Sequence, residues 1–424
     1  MPEPRTTRPK KSASRKSSKT PAEPAPPPPQ RQRRSLTQRG GAITVRGDQA
    51  LSAILSKALT ASSQEPLDDL THGFHTYPAR MHPEIASVLV AELSQPGESV
   101  LDPFVGSGTV LIEALAQGRR GVGVDLNPLA LRIAHVRCQL RDRAARSRFL
   151  RTLSAVATAS EDSVRSRAVV KVPVERSERA FYDPHVLLEL SGLWGEIGHV
   201  TEPLDRNALE VVFSSLLVKF SRQRGDTTEE LIDKRIRKGL VTEFFERKGQ
   251  ELAQRWEALY ESAPRDATAV KLVAGDARRL ADLAPKGYSA DLVLTSPPYG
   301  GTYDYLSHHA RRYAWLSLND EPLRTHEIGA RRNMSQVTGA LGRWDRELSS
   351  ALLAMASVLA KHGQVVLWMG DADIGGTRVA ADEQVERLAA KVGLRVLAAA
   401  AQARPDFRRP EPRREHLLLL GHSR

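Results

Sequence analysis

The spacing of apolar residues separates strand-like runs from helix-like repeats along the chain. Short apolar runs such as Leu292-Val293-Leu294 predict buried strands, and apolar residues three and four positions apart predict the helices between them. One run is followed by a Gly-rich turn and a helix, and the next run ends in an acid, which is typical of a doubly wound α/β sheet. The seven predicted strands lie in the segments ESVLDPF, GVGVDLNP, AVKLVAGD, ADLVLTSPPYG, QVVLWMGD, LRVLAAA and EHLLLLGH.

The same pattern predicts where the α/β domain is interrupted. Residues 1–48 are rich in Pro, Ser, Lys and Arg, lack the apolar residues of a core, and are expected to be a disordered basic tail. Residues 49–134 and 269–424 hold the two parts of the domain. Residues 135–268 between them are charged and mostly helical in pattern. We therefore expect a seven-stranded, mostly parallel, Rossmann-like sheet with a helical insertion after its second strand.

Composition narrows the classes of partner and site. The 424-residue chain has a formal net charge of +12, which favours a polyanionic partner, and residues 1–40 hold eleven Lys or Arg against two Asp or Glu. The single cysteine, Cys138, excludes internal disulfides and a cysteine-based zinc site, and it fits a reducing compartment such as the cytoplasm. His308 and His309 lack a third ligand at suitable spacing, so no metal is expected. No apolar run approaches the ~18 residues of a membrane span, so no membrane association is expected.

The first candidate site is the segment VLDPFVGSGTV, where Gly106 and Gly108 flank Ser107 between a strand and a helix. Glycines there let the backbone approach a ligand closely, and the amino end of a helix favours negative charge. No Gly-Lys-Ser/Thr follows, and Leu111 replaces the third glycine of a dinucleotide loop, so neither phosphate motif is complete. Asp102, an acid at the end of the strand, suits a ligand with a cationic amine better than a phosphate.

Two further acids follow predicted strands. Asp125 lies about 20 residues beyond the Gly-rich loop, where a carboxylate accepts hydrogen bonds from ribose hydroxyls. The alternative for Asp125 is a charge at the start of the helix that Asn127 and Pro128 begin. Asp276 follows the third strand and suits an adenine edge, with a surface turn as the alternative. Together with Asp102, these acids predict a nucleoside that carries a positively charged amino-acid part, which describes S-adenosylmethionine.

The segment TSPPYG, which ends the fourth strand, has the groups needed to hold a base. Pro297 and Pro298 lack N–H groups and end strand pairing, while Ser296 and the carbonyls before the prolines are acceptors. Acceptors that hold both hydrogens of an exocyclic amine free its lone pair for attack on a methyl group, and they stabilise the positive charge that develops on nitrogen. The ring of Tyr299 offers a stacking surface for a base that has left its helix. The sequence therefore predicts direct methylation of an amine, without a cysteine nucleophile.

These two motifs resemble those of the N4-cytosine and N6-adenine DNA methylases, the amino-methyltransferase group of the class I methyltransferases. The resemblance covers roughly residues 72–134 and 268–424. It implies S-adenosylmethionine as cofactor, DNA as substrate and a restriction endonuclease as a candidate partner. The residues that match the cofactor motif and the catalytic tetrapeptide are Asp102, Phe104, Gly106, Gly108, Thr109 and Asp125, and Ser296, Pro297, Pro298 and Tyr299. The segment FHTYPARMHPEIASVLV, which contains Tyr77, resembles the part of the family that seats the methionine end of the cofactor.

The resemblance favours cytosine N4 as the target, because serine before the two prolines is typical of N4 enzymes and aspartate is typical of N6 enzymes. N4-cytosine members often carry the catalytic motif first, whereas here the cofactor motif comes first, so adenine N6 stays an alternative. A guanine-N2 or other RNA amino-methyltransferase is a second alternative, and a DNA-binding regulator without turnover is a third.

The helical insertion is the candidate target-recognition region. Its segment KFSRQRGDTTEELIDKRIRKGL is rich in cations that suit DNA phosphates. The predicted phosphate contacts are Arg222, Arg224, Arg235, Arg237 and Lys238, with Lys234 beside them. The alternative for each of them is the solvated face of an amphipathic helix. The recognition sequence and the oligomeric state stay open.

Overall fold

The apolar runs form the strands that their spacing predicts, and one more strand precedes them. The computed structural model describes residues 41–64, 69–78, 80–166, 170–226, 228, 230–284, 287–334, 338–404 and 413–423. Its strands are β1 (Thr44–Gly47), β2 (Ser99–Asp102), β3 (Arg120–Asp125), β4 (Lys271–Ala274), β5 (Ala290–Thr295), β6 (Leu359–Gly370), β7 (Ala372–Ile374), β8 (Thr377–Val379), β9 (Leu394–Arg404) and β10 (Arg413–His422). The expectation of a disordered tail up to residue 48 is wrong at its end, because β1 pairs with β9. Residues 1–40 lie outside the described residues.

Within the described residues, eight strands form one sheet in the order β1-β9-β10-β6-β5-β2-β3-β4. The five strands from β6 to β4 in this order pair in parallel, and β10 runs antiparallel between β6 and β9. The prediction of a mostly parallel α/β sheet is confirmed. The sheet has eight strands rather than seven because β1 adds an antiparallel edge. Strands β7 and β8 form a separate hairpin.

The helices connect the strands and build the insertion. They are α1 (Gln49–Gln64), α2 (Pro83–Leu93), α3 (Thr109–Ala116), α4 (Pro128–Arg137), α5 (Arg143–Arg165), α6 (Arg176–Arg179), α7 (Pro184–Gly198), α8 (Pro203–Phe220), α9 (Leu240–Ser262), α10 (Leu280–Leu283), α11 (Tyr305–Trp315), α12 (Glu321–His326), α13 (Arg331–Met334), α14 (Ala340–Ser357) and α15 (Ala381–Ala389). Two short 3₁₀ turns, Ala277–Arg279 and Ala390–Val392, follow β4 and α15. No helix in the part of the chain that the structure describes is long and apolar enough to cross a membrane.

The central strands are buried on both faces, which explains their unbroken apolar runs. In β5, Leu292 and Leu294 belong to the core that α1 and α2 complete. Val293, whose side chain lies on the opposite face, belongs to the core built with α14 and α15. Burial of each such side chain contributes about 1.5–3 kcal/mol to folding, so the strand is held from both sides.

The insertion has an apolar core that continues towards the sheet. Helices α5, α7, α8 and α9 bury Phe149, Phe213 and Trp256 in one cluster, which also contains Tyr77 and Tyr313 of the α/β domain. The ring centroids of Phe149 and Trp256 lie 5.0 Å apart in an edge-on arrangement. The helical insertion is therefore packed directly against the segments that flank the pocket described below.

Parallel pairing brings the candidate residues to one edge of the sheet. Strands β2, β3 and β5 end at Asp102, Asp125 and Thr295. The chain passes from β2 to β3 on one side and later returns to β5 on the other side of β2. A crevice forms where such connections diverge, and ligands of doubly wound sheets bind in it.

Candidate active site

A pocket opens at the carboxyl ends of β2 to β5. Seven of the eight residues predicted to bind the cofactor line it, namely Tyr77, Asp102, Phe104, Gly106, Thr109, Asp125 and Asp276. Ser296 and Pro298 of the predicted catalytic corner line the same pocket. Gly108, Pro297 and Tyr299 are not among its lining residues. The two sequence motifs, almost 200 positions apart, therefore meet in one crevice.

The two glycines of the loop before α3 each allow a different residue to approach the loop closely. Both have positive φ, 49° at Gly106 and 86° at Gly108, where other residues are strained. A side-chain carbon at Gly106 would lie 3.3 Å from Cε1 of Tyr77, whereas one at Gly108 would lie 3.1 Å from Cβ of Ala134 in α4. Gly106 thus lets the Tyr77 ring approach the loop from the pocket side. Gly108 also has a packing reason, because it lets α4 approach from behind, and its predicted ligand contact stays a prediction.

Asp102 is a buried carboxylate, 4% exposed, at the end of β2. Its Oδ1 accepts hydrogen bonds from Oγ1 of Thr295 at 2.6 Å and from the backbone N–H of Phe104 at 3.1 Å. Burial raises the pKa of Asp102 from 3.8 to about 7, although these two hydrogen bonds act in the opposite direction. No cationic side chain of the described residues contributes to this shift. A ligand cation would supply the missing counter-charge, as the sequence predicts for an amine.

Asp125 supports the loop and still lines the pocket. Its Oδ2 accepts from the backbone N–H of Gly106 and its Oδ1 from that of Asn127, both at 2.8 Å. Burial raises the pKa of Asp125 to about 6, and the backbone hydrogen bonds lower it. Each carboxylate oxygen has a second acceptor position, so ribose hydroxyls would find acceptors here. The ribose role and the role at the start of α4 are therefore compatible.

Asp276 lines the pocket, but its carboxylate is already held by one arginine. Nε of Arg278 lies 2.9 Å from Oδ1, and Nη2 lies 2.5 Å from Oδ2. Burial raises the pKa of Asp276, but the bonds from Arg278 outweigh it and the pKa is lowered. Arg278 also donates to the carbonyl of His326 at 3.3 Å. This turn ties the end of β4 to α12, which favours the structural alternative, and the adenine contact stays a prediction.

Tyr77 forms a wall of the pocket between two aromatic rings. Its ring centroid lies 5.0 Å from that of His309 and 6.0 Å from that of Tyr305, with nearly parallel planes. Its hydroxyl accepts from Nδ2 of Asn127 at 3.3 Å, and Oδ1 of Asn127 accepts from the Tyr313 hydroxyl at 2.8 Å. Burial raises the pKa of Tyr77 well above 10, so the hydroxyl stays neutral. These contacts fix the 74–77 segment against α4 and α11.

Two hydroxyls at the start of α3 have no partner in the described structure. Oγ of Ser107 and Oγ1 of Thr109 are buried without a hydrogen bond, and both residues line the pocket. The first N–H groups of a helix also lack partners within it, and the helix dipole favours an anion there. A ligand carboxylate would satisfy these donors. The residues present therefore fit the expected cofactor, because the donors at the start of α3 would hold its carboxylate and Asp102 would pair with its amine.

The corner of Ser296, Pro297, Pro298 and Tyr299 follows β5 directly. Pro297 is buried, and the other three residues are half-buried. The Tyr299 ring lies beside the end of β6, because a side-chain carbon at Gly370 would be 3.0 Å from its Cε2. The absence of a side chain at Gly370 makes room for the ring.

Most of the predicted DNA-binding cations of the insertion are engaged with other groups. The ion pairs join Arg222 to Asp183 at 2.9 Å, Arg224 to Glu230 at 2.8 Å, and Arg237 to Glu243. Lys234 donates to the carbonyls of Val218, Lys219 and Gln223 and so caps the end of α8. Arg235 and Lys238 are exposed and form no ion pair among the described residues. These two are the better candidates for phosphate contacts.

Sequence reasoning missed several residues around the pocket. The hydroxyl of Thr295, which precedes the corner, holds Asp102 across the sheet. Glu327 lines the pocket and accepts from the backbone N–H of Tyr305 at 3.2 Å. The insertion also reaches this region, because Oδ1 of Asp226 lies 2.5 Å from Nη1 of Arg312 in α11. Only Thr295 carried a sequence signal, as the last residue of a strand that runs into the motif.

Comparison with known proteins identifies related chains. The family model described as DNA methylase, of the N6/N4 type, matches residues 7–136, which contain the Gly-rich loop and stop before the corner. The chain is 40% identical over 93 residues to the type II methyltransferase M.MvaI of Kocuria varians, covering 20% of each chain. It is 32% identical over 71 residues to the type II methyltransferase M.MjaII of Methanocaldococcus jannaschii, covering 17% of this chain and 13% of that protein.

These similarities are local. The chain spans about a fifth or less of the length of these two relatives. Among solved structures, the rRNA methyltransferase aviRa of Streptomyces viridochromogenes is 13% identical, with a TM-score of 0.33, and the match covers 82% of this chain and 88% of that one.

Proposed function

We propose that the chain is a member of the N6/N4 DNA methylase family, whose cofactor is S-adenosylmethionine, and that it methylates an exocyclic amine of a base in DNA, with cytosine N4 as the target. The observation that carries the proposal is that Ser296 of the corner and Asp102 line one pocket. A base held at the corner would lie next to a cofactor whose amine pairs with Asp102. When bound, the cofactor supplies a methyl group on a positively charged sulfur.

The residues on the cofactor side bind and orient. The buried carboxylate of Asp102 would pair with the amine, and the unused hydroxyls of Ser107 and Thr109 would donate to the carboxylate. Asp125 would accept from the ribose hydroxyls. Charge pairing at the methionine end of the cofactor and hydrogen bonds at its ribose would fix the direction of the methyl group. This orientation lowers the entropic cost of reaching a reactive geometry.

The residues on the base side hold the nucleophile. The Ser296 hydroxyl and the carbonyls before the prolines would accept the two amine hydrogens. These acceptors gain strength as positive charge develops on nitrogen, so they stabilise the transition state more than the bound base. The Tyr299 ring would stack on the extruded base and replace the stacking lost from the helix.

DNA binding beyond the base would fall to the helical insertion. Arg235 and Lys238 are exposed there and are proposed to contact phosphates. Adenine N6 is the first alternative target, and RNA is the first alternative substrate. A restriction endonuclease partner and a cytoplasmic location remain predictions from the sequence.

Nucleoside mass spectrometry tests the proposal. The protein is incubated with cofactor carrying a labelled methyl group and with duplex DNA, single-stranded DNA or RNA, and the products are digested to nucleosides. Labelled N4-methylcytosine from DNA is expected. Labelled N6-methyladenine would move the target to the other base of the family, and label in RNA alone would overturn the DNA assignment. No label in any nucleic acid, with cofactor binding intact, would favour the regulator without turnover. Ser296→Ala is the matched control and should reduce the labelled product.

A further inference from the structure

Arg137, at the end of α4, is a fully buried arginine directly behind the Gly-rich loop. Its guanidinium donates to three backbone carbonyls, those of Thr71 at 2.8 Å, His72 at 2.9 Å and Ser107 at 2.6 Å. Its own carbonyl accepts from the Thr71 hydroxyl at 2.8 Å. One side chain thus joins two chain segments that are distant in sequence, the 71–72 turn and the loop before α3.

The charge of Arg137 has no carboxylate in direct contact among the described residues. The link to an acid is indirect, because Nη2 lies 3.4 Å from Nδ1 of His72, and Nε2 of His72 lies 2.6 Å from Oε1 of Glu113 in α3. Removing a guanidinium from water is expensive. A neutral side-chain donor would hold the same backbone carbonyls at a lower desolvation cost. The three hydrogen bonds alone therefore do not explain why a charged guanidinium is buried here.

Both segments that Arg137 joins continue into walls of the pocket. The 71–72 turn leads to Tyr77, and Ser107 lies in the loop between Gly106 and Thr109. The buried hydroxyls of Ser107 and Thr109 are without partners on the pocket side of this loop. The positive guanidinium therefore lies behind the point where the structure offers unused donors to an anion.

We propose that Arg137 is a positioning residue for the carboxylate of the cofactor's methionine part. It acts through the Ser107 carbonyl, by holding the loop so that the hydroxyls of Ser107 and Thr109 and the first N–H groups of α3 converge on one point. Its charge adds to the positive potential there. The inference rests on the cofactor of the proposed function, but it concerns binding alone and does not depend on which base is methylated.

Two ligands separate this role from general support of the fold. S-adenosylhomocysteine carries the methionine-derived amine and carboxylate, whereas 5′-methylthioadenosine has the same nucleoside without them. Calorimetric titration of both ligands into Arg137→Met should show S-adenosylhomocysteine binding about tenfold or more weaker than in the unchanged protein, the size expected when a hydrogen bond to a charged group is lost. Binding of 5′-methylthioadenosine should change less than about threefold, because it makes no such bond.

Arg255→Met is the matched control. Arg255 donates to the carbonyl of Leu70 at 3.2 Å, next to the same turn, and its Nε donates to Glu251 in its own helix at 2.8 Å. In Arg255→Met, the ratio of the affinity for S-adenosylhomocysteine to the affinity for 5′-methylthioadenosine should equal that of the unchanged protein. If Arg255→Met lowers this ratio as much as Arg137→Met does, the proposal is overturned.

If Arg137→Met lowers the affinities for both ligands by the same factor, or lowers neither, the arginine only supports the fold. If Arg137→Met does not fold, Arg137→Lys decides, because an ammonium keeps the charge and reaches fewer of the three carbonyls. If Arg137→Lys loses part of the preference for S-adenosylhomocysteine over 5′-methylthioadenosine, the proposal is supported. If this preference is the same as in the unchanged protein, the proposal is overturned. An unchanged protein that binds neither ligand would instead remove the cofactor assignment itself. Failure of the methylation experiment alone would leave this result intact.

Discussion

Replacement of Asp102 by asparagine should make the ligand-free protein more stable while weakening its binding of the cofactor. Both hydrogen bonds of Asp102, from Thr295 and from Phe104, end on Oδ1. The amide oxygen of asparagine accepts both of them in the same position. Asp102→Asn therefore removes the charge and keeps this geometry.

The size of the effect follows from the pKa. The folded state raises the pKa of Asp102 from 3.8 to about 7 through burial, which corresponds to on the order of 4 kcal/mol at a pH above both values. Between these values the unfolded chain has released the proton and the folded chain still holds it, so the stability of the unchanged protein falls as pH rises. Asp102→Asn should abolish this loss. It should have a higher free energy of unfolding than the unchanged protein at pH 8 and nearly the same one near pH 4.

Urea unfolding of both proteins at pH 4.5, 6 and 8 without ligand measures this difference. Calorimetry of the variant should show binding of S-adenosylhomocysteine weakened by at least tenfold, about the size of one lost charged hydrogen bond. In the unchanged protein this affinity should fall about tenfold per pH unit below pH 7, as Asp102 takes up a proton.

Asp125→Asn is the contrasting control. The two oxygens of Asp125 accept from two different backbone N–H groups, so the amide must turn its NH₂ towards a donor in either orientation. This variant should gain less stability than Asp102→Asn at pH 8, because the lost hydrogen bond, worth about 1–3 kcal/mol, offsets the removal of a charge whose pKa is raised only to about 6. If Asp102→Asn destabilises the protein equally at pH 4.5 and 8, the carboxylate is not the buried, uncompensated charge that the structure indicates, and the reasoning fails.

The remaining predictions concern the ribose, the corner and the DNA contacts. Asp125→Ala should weaken binding of S-adenosylhomocysteine by about 1–3 kcal/mol in calorimetry, and an unchanged affinity would remove the ribose role. In single-turnover methylation, Ser296→Ala should lower the rate more than the DNA affinity, because its acceptor matters most as charge develops. Tyr299→Ala should lose about 1–3 kcal/mol of base stacking while Tyr299→Phe retains most activity, and a normal rate in Tyr299→Ala would reduce the corner to a strand end. The combined change of Arg235 and Lys238 to alanine should reduce the slope of log affinity against log salt by about 2, and an identical slope would exclude both as phosphate contacts.

The sequence alone determined the features that depend on local pattern. The apolar runs specified seven of the sheet strands, and the unbroken run of β5 follows from its burial on both faces. The Gly-rich loop and the Ser-Pro-Pro-Tyr corner were visible for a similar reason, since positive φ and missing N–H groups limit a position to glycine or proline. The local pattern failed at β1, a short exposed strand that depends on pairing with β9, more than 340 positions away, and on ion pairs of Arg46 with α15.

Tertiary structure decided which groups are partnered and what charge they carry. Asp102 meets Thr295 only because β2 and β5 are neighbours, and its raised pKa comes from burial that no local segment encodes. The cations of the insertion look alike in sequence, yet Arg222 is paired and Arg235 is exposed. Arg137 gained its partners from segments 66 and 30 positions away. Local periodicity sets the secondary structure, whereas the order of the strands sets which side chains meet. The chemistry of the pocket therefore depends on the order of the strands.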